Sequence, residues 1–303
     1  MRSIRQVETI SDRWGPTVAE TYAPSVRLRR IARVLRGWRE EHGIRSGIAA
    51  TRAGWSAAKQ SRLETAGQPI SPADVMTLAL IYDVPEEERT KLFHAALTAQ
   101  EKGWWEEVAK GALVDDVMDY VELESEATEL KTFKIDLVHG LFQTEEYTAA
   151  LVRAFRPQPN EATTRRRVQA RVKRQDRILG ENPLRVEAIL TEGALRLVVG
   201  GPEVMCAQLA RLGELSALPH VAIRVLPAAS GAYPGMGTGF NIVSFEDDAA
   251  DVGYVEVLSK GVYLEEPKDV ETYNVCFAET WELALDEHES AELITTVAST
   301  MKA

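Results

Sequence analysis

Apolar residues recur at helical spacing through the first third of the chain, and this spacing predicts five compact helices over residues 26–100. In the first helix, residues 26–41, the apolar side chains fall on one stripe, and Gly43 would end it. The last helix is expected to begin near Pro85 and to run to Gln100. No strand-like pattern competes here, so we expect an all-helical N-terminal unit.

The segment SGIAATRAGWSAAKQSRLE, residues 46–64, predicts two short helices separated by a tight turn. The first runs to Ala53, and Gly54 can adopt the positive φ that such a turn requires. Ser56 is then the N-cap of a second helix that ends at Glu64. Two short helices with a glycine-containing turn are typical of a helix-turn-helix.

The helix after this motif has a well-marked start. Ser71 is expected as its N-cap and Pro72 as its first residue. Asp74 follows in the first turn, where a carboxylate interacts favourably with the helix dipole.

Beyond residue 100 the pattern becomes mixed. Residues 115–130, DDVMDYVELESEATEL, are expected to form one acidic helix with Val117, Tyr120, Val121 and Leu130 as its apolar positions. Further helices are predicted at residues 144–155, 163–179, 202–217, 267–285 and 287–299. Strand-like runs lie between them at LRVEAIL, VAIRVL, FNIVSF and GYVEVL. The expected fold class is therefore mainly α, with an α+β C-terminal domain of helices and a mixed sheet.

Charge is unevenly distributed along this acidic chain. The 303 residues carry a net charge of −11, and 45% of them are hydrophobic, as in a soluble globular protein. Residues 24–70 nevertheless hold ten basic and three acidic residues, and residues 161–177 hold seven basic and two acidic ones. A local basic surface can bind a polyanion because neutralised phosphates release counterions, although such helices are often only solvated faces.

The cysteines and the longest uncharged run indicate the cellular compartment in which the protein is expected. Cys206 and Cys276 lie apart in helix-like segments, so a disulfide framework is excluded and a reducing cytoplasm is expected. The start of the chain has no apolar signal, and prolines and glycines interrupt the uncharged run 225–245. We therefore expect no membrane segment.

The sequence motifs give little support for an enzymatic function. The five histidines lack paired metal-ligand spacing, so no metal is expected. No G-x-S-x-G nucleophile motif occurs, and the glycine-rich segment GAYPGMGTGF lacks the lysine and hydroxyl of a phosphate loop. We expect neither a catalytic residue nor a cofactor.

The same glycine-rich segment is the candidate effector or partner surface. Its glycines let a bound group approach the backbone closely, and its apolar side chains could form a lid. The residues of this candidate are Tyr233, Gly235, Met236, Gly237 and Phe240. The alternative is a loop that simply enters a strand.

Residues 43–64 resemble the helix-turn-helix of the lambda-repressor and Cro type without gaps. The matching positions are Gly43, Ala50, Gly54, Ser56, Ser61, Arg62 and Glu64. The resemblance implies a five-helix, lambda-repressor-like domain whose second motif helix, residues 56–64, enters the major groove of double-stranded DNA.

Two departures from that family affect how DNA would be contacted. Ser46 stands where the family usually has Gln, and Ala57 and Ala58 replace the polar pair that opens the recognition helix. Alanine can meet a thymine methyl but donates no hydrogen bond, so basic side chains would contact mainly phosphates. The candidate DNA-binding set is Arg45, Ser46, Arg52, Ser56, Ala57, Ala58, Lys59, Ser61 and Arg62.

The core of the motif departs as well. Ala49, Ala53 and Gln60 occupy positions where the family prefers larger aliphatic side chains. Ile48 and Trp55 are the expected replacements that fill this space.

From residue 26 onward the chain resembles bacterial regulators of the xenobiotic-response-element type, which carry a C-terminal domain of unknown function and are often described as antitoxin-like. The landmarks, in order, are GWWEE at 103, LVHGLFQTEEYTAAL at 137, RVQARVKRQDRIL at 167, VVGGPEVMCAQLARL at 198, PGMGTGFNIVSF at 234 and VGYVEVLSKGVYLEEPKDV at 252. The resemblance implies an N-terminal arm at 1–25, a DNA-binding domain at 26–100 and a sensing or partner-binding domain at 105–303.

This resemblance implies a transcriptional regulator. We expect it to act as a homodimer, because two-fold pairing would place two recognition helices about 34 Å apart, at successive major grooves. A small-molecule effector or a small acidic protein partner would bind the C-terminal domain. The alternative is an antitoxin-like interaction module whose helix-turn-helix is mainly structural. The basic helix at 163–179 could contact phosphates or an acidic partner, or its charges could form salt bridges within the domain.

Overall fold

The protein is described here as a computed structural model. The described residues are 24–99, 115–155, 160–246, 250–257 and 260–301. The chain divides into two compact units, residues 1–99 and residues 100–303. The stretch that contains GWWEE, and residues 1–23 of the predicted arm, lie outside the described residues.

The first unit is helical, and its five predicted helices are confirmed. They are α1 Val26–Glu41, α2 Ser46–Ala53, α3 Ala57–Glu64, α4 Pro72–Ile81 and α5 Glu86–Thr98. Gly43 adopts φ 63° just after α1, as expected of a residue that ends a helix. The predicted end of α5 at Gln100 lies outside the described residues.

The start of α4 forms the predicted cap. Ser71 Oγ accepts a hydrogen bond from the Asp74 backbone N–H at 3.1 Å, and the Asp74 carboxylate accepts one from the Ser71 N–H at 3.1 Å. This reciprocal pair satisfies two backbone donors that have no partner within the helix.

The helices of the first unit enclose one apolar core that includes Leu35, Leu63 and Leu78. Trp55 packs against this core, as expected, but the prediction for Ile48 is wrong because that side chain is 45% exposed. The inward positions of α2 are those of Ala49 and Ala50, so Ile48 lies on the outer side of the helix.

The second unit combines helices with one mixed sheet. Its elements are α6 Asp115–Glu126, β1 Glu129–Lys134, a 3-10 turn Gly140–Phe142, α7 Glu145–Phe155, α8 Glu161–Arg174, α9 Asp176–Leu179, β2 Arg185–Thr191, α10 Glu192–Arg196, α11 Pro202–Ser216, β3 Val221–Leu226, a 3-10 turn Ala228–Ser230, β4 Phe240–Ser244, β5 Val252–Val257, β6 Lys260–Leu264, α12 Pro267–Leu283 and α13 Glu287–Met301.

The six strands are ordered β3-β2-β1-β4-β5-β6. β1 and β3 run parallel to β2, while β4, β5 and β6 continue the sheet in antiparallel pairs. Because side chains alternate along a strand, Leu130 and Phe133 of β1 enter different cores. The larger core contains residues of α11 and α13, and the smaller one contains Phe277 of α12.

Two helix predictions for this unit are corrected. The acidic helix ends at Glu126, and Leu130 lies in β1, because the segment pairs with β2 on one side and with β4 on the other. The helix predicted over 163–179 is interrupted at Gln175, whose side-chain amide donates to the Gln143 carbonyl at 2.6 Å. β6 and the short helix α10 are further elements that the periodicity did not predict.

Candidate nucleic-acid interface

The turn of the helix-turn-helix is set by two residues. Gly54 ends α2 with φ 69° and ψ 26°, the left-handed conformation that glycine adopts without steric cost. Ser56 Oγ then accepts a hydrogen bond from the Lys59 backbone N–H at 3.2 Å and caps α3. Both features follow the sequence prediction.

The nine predicted DNA-facing residues lie on α2, on α3 or beside them. Ser46 and Lys59 are half-buried. The exposed members are Arg45, Arg52, Ser56, Ala57, Ala58, Ser61 and Arg62. The structure therefore brings the set together on one helix pair, and the first turn of α3 presents two alanine methyl groups to solvent.

The basic side chains of this set differ in the hydrogen bonds and ion pairs that they already make. The side chains of Arg45 and Arg52 make no hydrogen bond or ion pair with any described residue. Arg62 donates from Nε to Gln68 Oε1 at 2.8 Å on the exposed surface. Lys59 Nζ lies 2.8 Å from Asp74 Oδ1 and 3.9 Å from the centre of the Trp55 ring.

The contact with Lys59 also affects the pKa of the Asp74 carboxyl group. Burial opposes ionisation of Asp74, but hydrogen bonds from Lys59 and Ser71 outweigh it, so the pKa of Asp74 is lowered. A DNA phosphate that binds Lys59 must compete with this internal carboxylate.

A buried polar network holds α3 from behind. Arg39 of α1 donates from Nε to both carboxylate oxygens of Glu64, at 2.7 and 2.9 Å, and from a terminal nitrogen to the Ile44 carbonyl. Gln60 Nε2 donates to Glu64 Oε1 at 2.6 Å and to Tyr82 Oη at 2.9 Å. α3 is thus tied through polar contacts to α1 and to Tyr82, the residue that caps the end of α4.

The network also explains the polar residue in the core of the motif. Gln60 is fully buried, and its Oε1 has no hydrogen-bond partner. Burial and the Glu64 carboxylate raise the pKa of the Tyr82 phenol, which stays protonated and donates to Glu64 at 3.3 Å. The four-residue spacing of Gln60 and Glu64 on an otherwise buried helix face was the available sequence signal for this network.

Comparison with known families bears on both units. A model described as a helix-turn-helix domain matches residues 30–92, and a model described as a domain of unknown function, DUF5753, matches residues 117–296. The second match covers more than half of the chain. The protein belongs to the DUF5753 family. No curated protein and no solved structure matches the chain.

Within the DUF5753 domain, the predicted effector loop packs largely against the smaller core. The Tyr233 ring lies 5.7 Å from Phe133, and Phe240 is buried against Phe133 and Tyr273. Gly235 has φ 71°, and a Cβ there would lie 2.6 Å from the Cys276 sulfur, so this position requires glycine.

The exposed end of the loop consists of Met236, which is 64% exposed, and Gly237, which has open space around it. The structure thus separates the five candidates into a packed group of Tyr233, Gly235 and Phe240 and an exposed pair. Effector binding at this loop stays a prediction.

The basic helix of the DUF5753 domain is divided between solvent and interior. Arg165 and Arg166 are exposed, whereas Arg174 is 6% exposed and pairs with Glu124 through two hydrogen bonds of 2.8 and 2.7 Å. Arg171 is half-buried and donates to Gln143 at 3.0 Å. The expected salt bridge within the domain is confirmed for Arg174.

Neither a membrane span nor a metal cluster occurs among the described residues. None of their helices combines the length and the apolar character that a membrane span requires. Nor do they contain a group of three or more His, Cys, Asp or Glu side chains arranged to hold a metal ion. Cys206 and Cys276 are free, half-buried thiols.

Proposed function

We propose that this protein is a transcription regulator of the lambda-repressor and Cro type that binds double-stranded DNA and is not an enzyme. The observation that carries the proposal is the helix-turn-helix with Arg45, Arg52 and Arg62 exposed on or beside its two helices. These cations belong to residues 24–70, which carry an excess of seven positive charges in an acidic protein. Phosphates of a DNA duplex are the matching polyanion.

In this mode α3 lies in the major groove, and most polar contacts go to the backbone. Arg45 and Arg52 have no competing partner among the described residues, so they can reach phosphates without loss of an internal contact. Ala57 and Ala58 offer methyl groups that can meet thymine methyls. The weak base contact of one motif is compensated if two copies bind as a homodimer, with recognition helices about 34 Å apart.

Regulation is assigned to the DUF5753 domain. A small-molecule effector or a small acidic protein bound there would change the occupancy of DNA by favouring one arrangement of the dimer. The two free thiols and the DNA target fit action in the cytoplasm.

The proposal is tested by selecting bound fragments of genomic DNA from the protein's source with the full chain at near-physiological salt. We expect enrichment of a few palindromic sites. A variant with Arg45→Gln and Arg52→Gln should lose this enrichment, while Lys91→Gln, which removes a charge from exposed α5 positions, should retain it. Equal recovery of all fragments by the wild type and the double variant would overturn the proposal.

A second function is favoured by a specific observation. The first turn of α3 has no polar side chain at Ala57 or Ala58, and Lys59 is already paired with Asp74. These features fit an antitoxin-like interaction module whose helix-turn-helix is mainly structural. It predicts no site enrichment in the same selection, together with a saturable complex between the full chain and a small acidic protein encoded in the same genome.

A further inference from the structure

Asp74, the third residue of α4, has two carboxylate oxygens with different partners. Its Oδ2 accepts hydrogen bonds from the Ser71 backbone N–H at 3.1 Å and from the Ser71 hydroxyl at 2.6 Å. Its Oδ1 lies 2.8 Å from Lys59 Nζ of α3. The first oxygen thus belongs to the cap of α4, and the second joins α4 to the recognition helix.

The cap holds the Asp74 carboxylate in place. Ser71 Oγ also accepts from the Asp74 backbone N–H, so three hydrogen bonds join the two residues. A carboxylate that is already fixed loses little further side-chain entropy when an ammonium binds it, unlike a carboxylate on a free surface side chain. Asp74 therefore offers Lys59 a preorganised partner.

The Lys59 ammonium is held by a second contact as well. Its nitrogen lies 3.9 Å from the centre of the Trp55 ring, whose face attracts a cation. The side chain of Lys59 is 33% exposed and that of Asp74 is 14% exposed. Because the pair is partly shielded from solvent, salt weakens it less than it weakens the attraction between an exposed cation and DNA phosphates.

Lys59 is the basic residue of the first turn of α3, where its neighbours Ala57 and Ala58 carry no charge. In helix-turn-helix domains the N-terminal residues of the recognition helix lie against the DNA. A phosphate can reach the partly exposed Lys59 from solvent, but it then lies close to the Asp74 carboxylate. Repulsion between the two anions cancels much of the attraction to the ammonium.

We propose that Asp74 sets the affinity of the helix-turn-helix for DNA by withholding Lys59 from phosphates. Asp74 is a positioning residue that acts through Lys59 and itself makes no contact with DNA. The inference rests on the proposed function, because it concerns how strongly the same surface holds a duplex. Arg45 and Arg52 give their full charge to phosphates, whereas Lys59 gives only what remains after competition with Asp74.

Asp74→Asn separates the two roles of the carboxylate. The amide oxygen of asparagine can accept the hydrogen bond from the Ser71 N–H, so the start of α4 is kept. The amide nitrogen then faces Lys59, and a donor cannot accept a hydrogen bond from an ammonium. Glu41→Gln removes the same charge from an exposed position of the first unit and is the matched control.

The experiment measures binding of the full chain to a duplex of arbitrary sequence at several salt concentrations, because phosphates are common to all sequences. A full additional phosphate contact steepens the slope of log affinity against log salt by about 0.9, which is about eightfold in affinity near 0.1 M salt. We expect Asp74→Asn to bind about three- to eightfold more tightly, with a steeper slope, since Lys59 already supplies part of a contact. Glu41→Gln should bind less than about twofold more tightly.

The Lys59→Gln background distinguishes action through Lys59 from simple repulsion. Asp74→Asn should increase the affinity severalfold in the wild type and clearly less in Lys59→Gln. A carboxylate that repelled DNA only by its own charge would give the same increase in both backgrounds. Unfolding temperatures of all variants, measured in parallel, separate these effects from a loss of folded protein.

The contact between Lys59 and Asp74 can also be measured without DNA. Burial opposes ionisation of Asp74, and the hydrogen bond from Lys59 is the largest influence that lowers its pKa. The Asp74 pKa, followed by NMR of the carboxyl carbon, should therefore be higher in Lys59→Gln than in the wild type. An unchanged pKa would show that the two side chains do not pair in solution, which would overturn the proposal.

The binding data have three further outcomes. Equal increases for Asp74→Asn in the two backgrounds, or an increase no larger than that of Glu41→Gln, would overturn the role of Asp74 and leave DNA binding by the wild type standing. Absence of duplex binding by the wild type and by Asp74→Asn alike would overturn the proposed function and this role together. Binding by Asp74→Asn alone would support the role, with Asp74 as the residue that prevents binding.

Discussion

At the scale of single residues, the charged side chains of the helix-turn-helix differ in what DNA binding would require of them. Arg52 is exposed and has no partner among the described residues, so a phosphate could pair with its guanidinium without replacing an existing contact. Lys59 already contacts Asp74 at 2.8 Å, so a phosphate would replace an existing contact. The net gain from Lys59 is therefore smaller.

This difference predicts distinct salt dependences. Arg52→Gln should reduce the slope of log affinity against log salt concentration by about one unit, because one phosphate contact is lost. Lys59→Gln should reduce it by clearly less. Binding of one duplex measured at several salt concentrations checks this, and a larger loss of slope for Lys59→Gln than for Arg52→Gln would contradict it.

Glu64 supplies the buried carboxylate that pairs with Arg39 in the first unit. Glu64→Gln should lower the free energy of unfolding by about 3 kcal/mol, because the Arg39 guanidinium loses its buried carboxylate partner and keeps only the exposed Glu40 at 3.3 Å. Glu41→Gln, at an exposed position of the same unit, should change it by less than about 0.5 kcal/mol. Denaturant unfolding of both variants gives the comparison, and equal effects would argue against the network.

The Lys134 ammonium predicts a pH dependence of stability. Below pH 8 it is charged in both folded and unfolded chains, so the cost of burying the charge is fully present. Between pH 8 and its usual pKa of 10.5 the folded chain releases the proton while the unfolded chain keeps it, so the free energy of unfolding rises with pH.

That rise should be smaller in Lys134→Met than in the wild type, and the difference between the two curves isolates this residue from other groups. Denaturant unfolding at several values between pH 7 and 10.5 measures it. Parallel curves for the two proteins would show that Lys134 titrates normally.

At the scale of elements, glycines at two kinds of position control the helices of the first unit. Gly54 ends α2 in the left-handed region at φ 69°, whereas Gly37 lies inside α1 with open space around its Cα. The same substitution therefore has opposite consequences at the two positions.

Gly54→Ala should destabilise the first unit by about 1 kcal/mol, because an L side chain is strained in the left-handed region. Gly37→Ala should stabilise it by about 0.5 to 1 kcal/mol, because alanine is favoured inside a helix and meets no atom there. Thermal or denaturant unfolding measures both. A shift in the same direction for the two variants would contradict the assignment of the turn.

At the scale of the whole molecule, the chain has separate cores in its two units. The core around Leu35 and Leu63 belongs to residues 1–99, and the two cores on either face of the sheet belong to residues 100–303. Each unit thus has the apolar interior that independent folding requires.

Calorimetry of the full chain should accordingly show two unfolding transitions. Glu64→Gln should lower the temperature of one of them, and Leu209→Ala, which opens a cavity in the larger core of the second unit, should lower the other. A single transition displaced by both substitutions would show that the units unfold together.

The sequence by itself determined the helices of the first unit and the form of its turn. These signals are local: an apolar stripe, the N-caps Ser56 and Ser71, and a glycine at the one position of the motif turn that needs positive φ. A local signal acts between residues a few positions apart, so it can be recognised without knowledge of the fold. The exposed basic residues around α2 and α3 were predictable for the same reason.

Only the tertiary structure decided which polar groups meet. β1 is a central strand because β2 and β4 pair with both its edges, although its own residues continue an acidic helical pattern. Lys59 meets Asp74, and Arg174 meets Glu124. Such contacts join residues far apart in the chain, and their energies depend on burial, which arises only when the elements have packed.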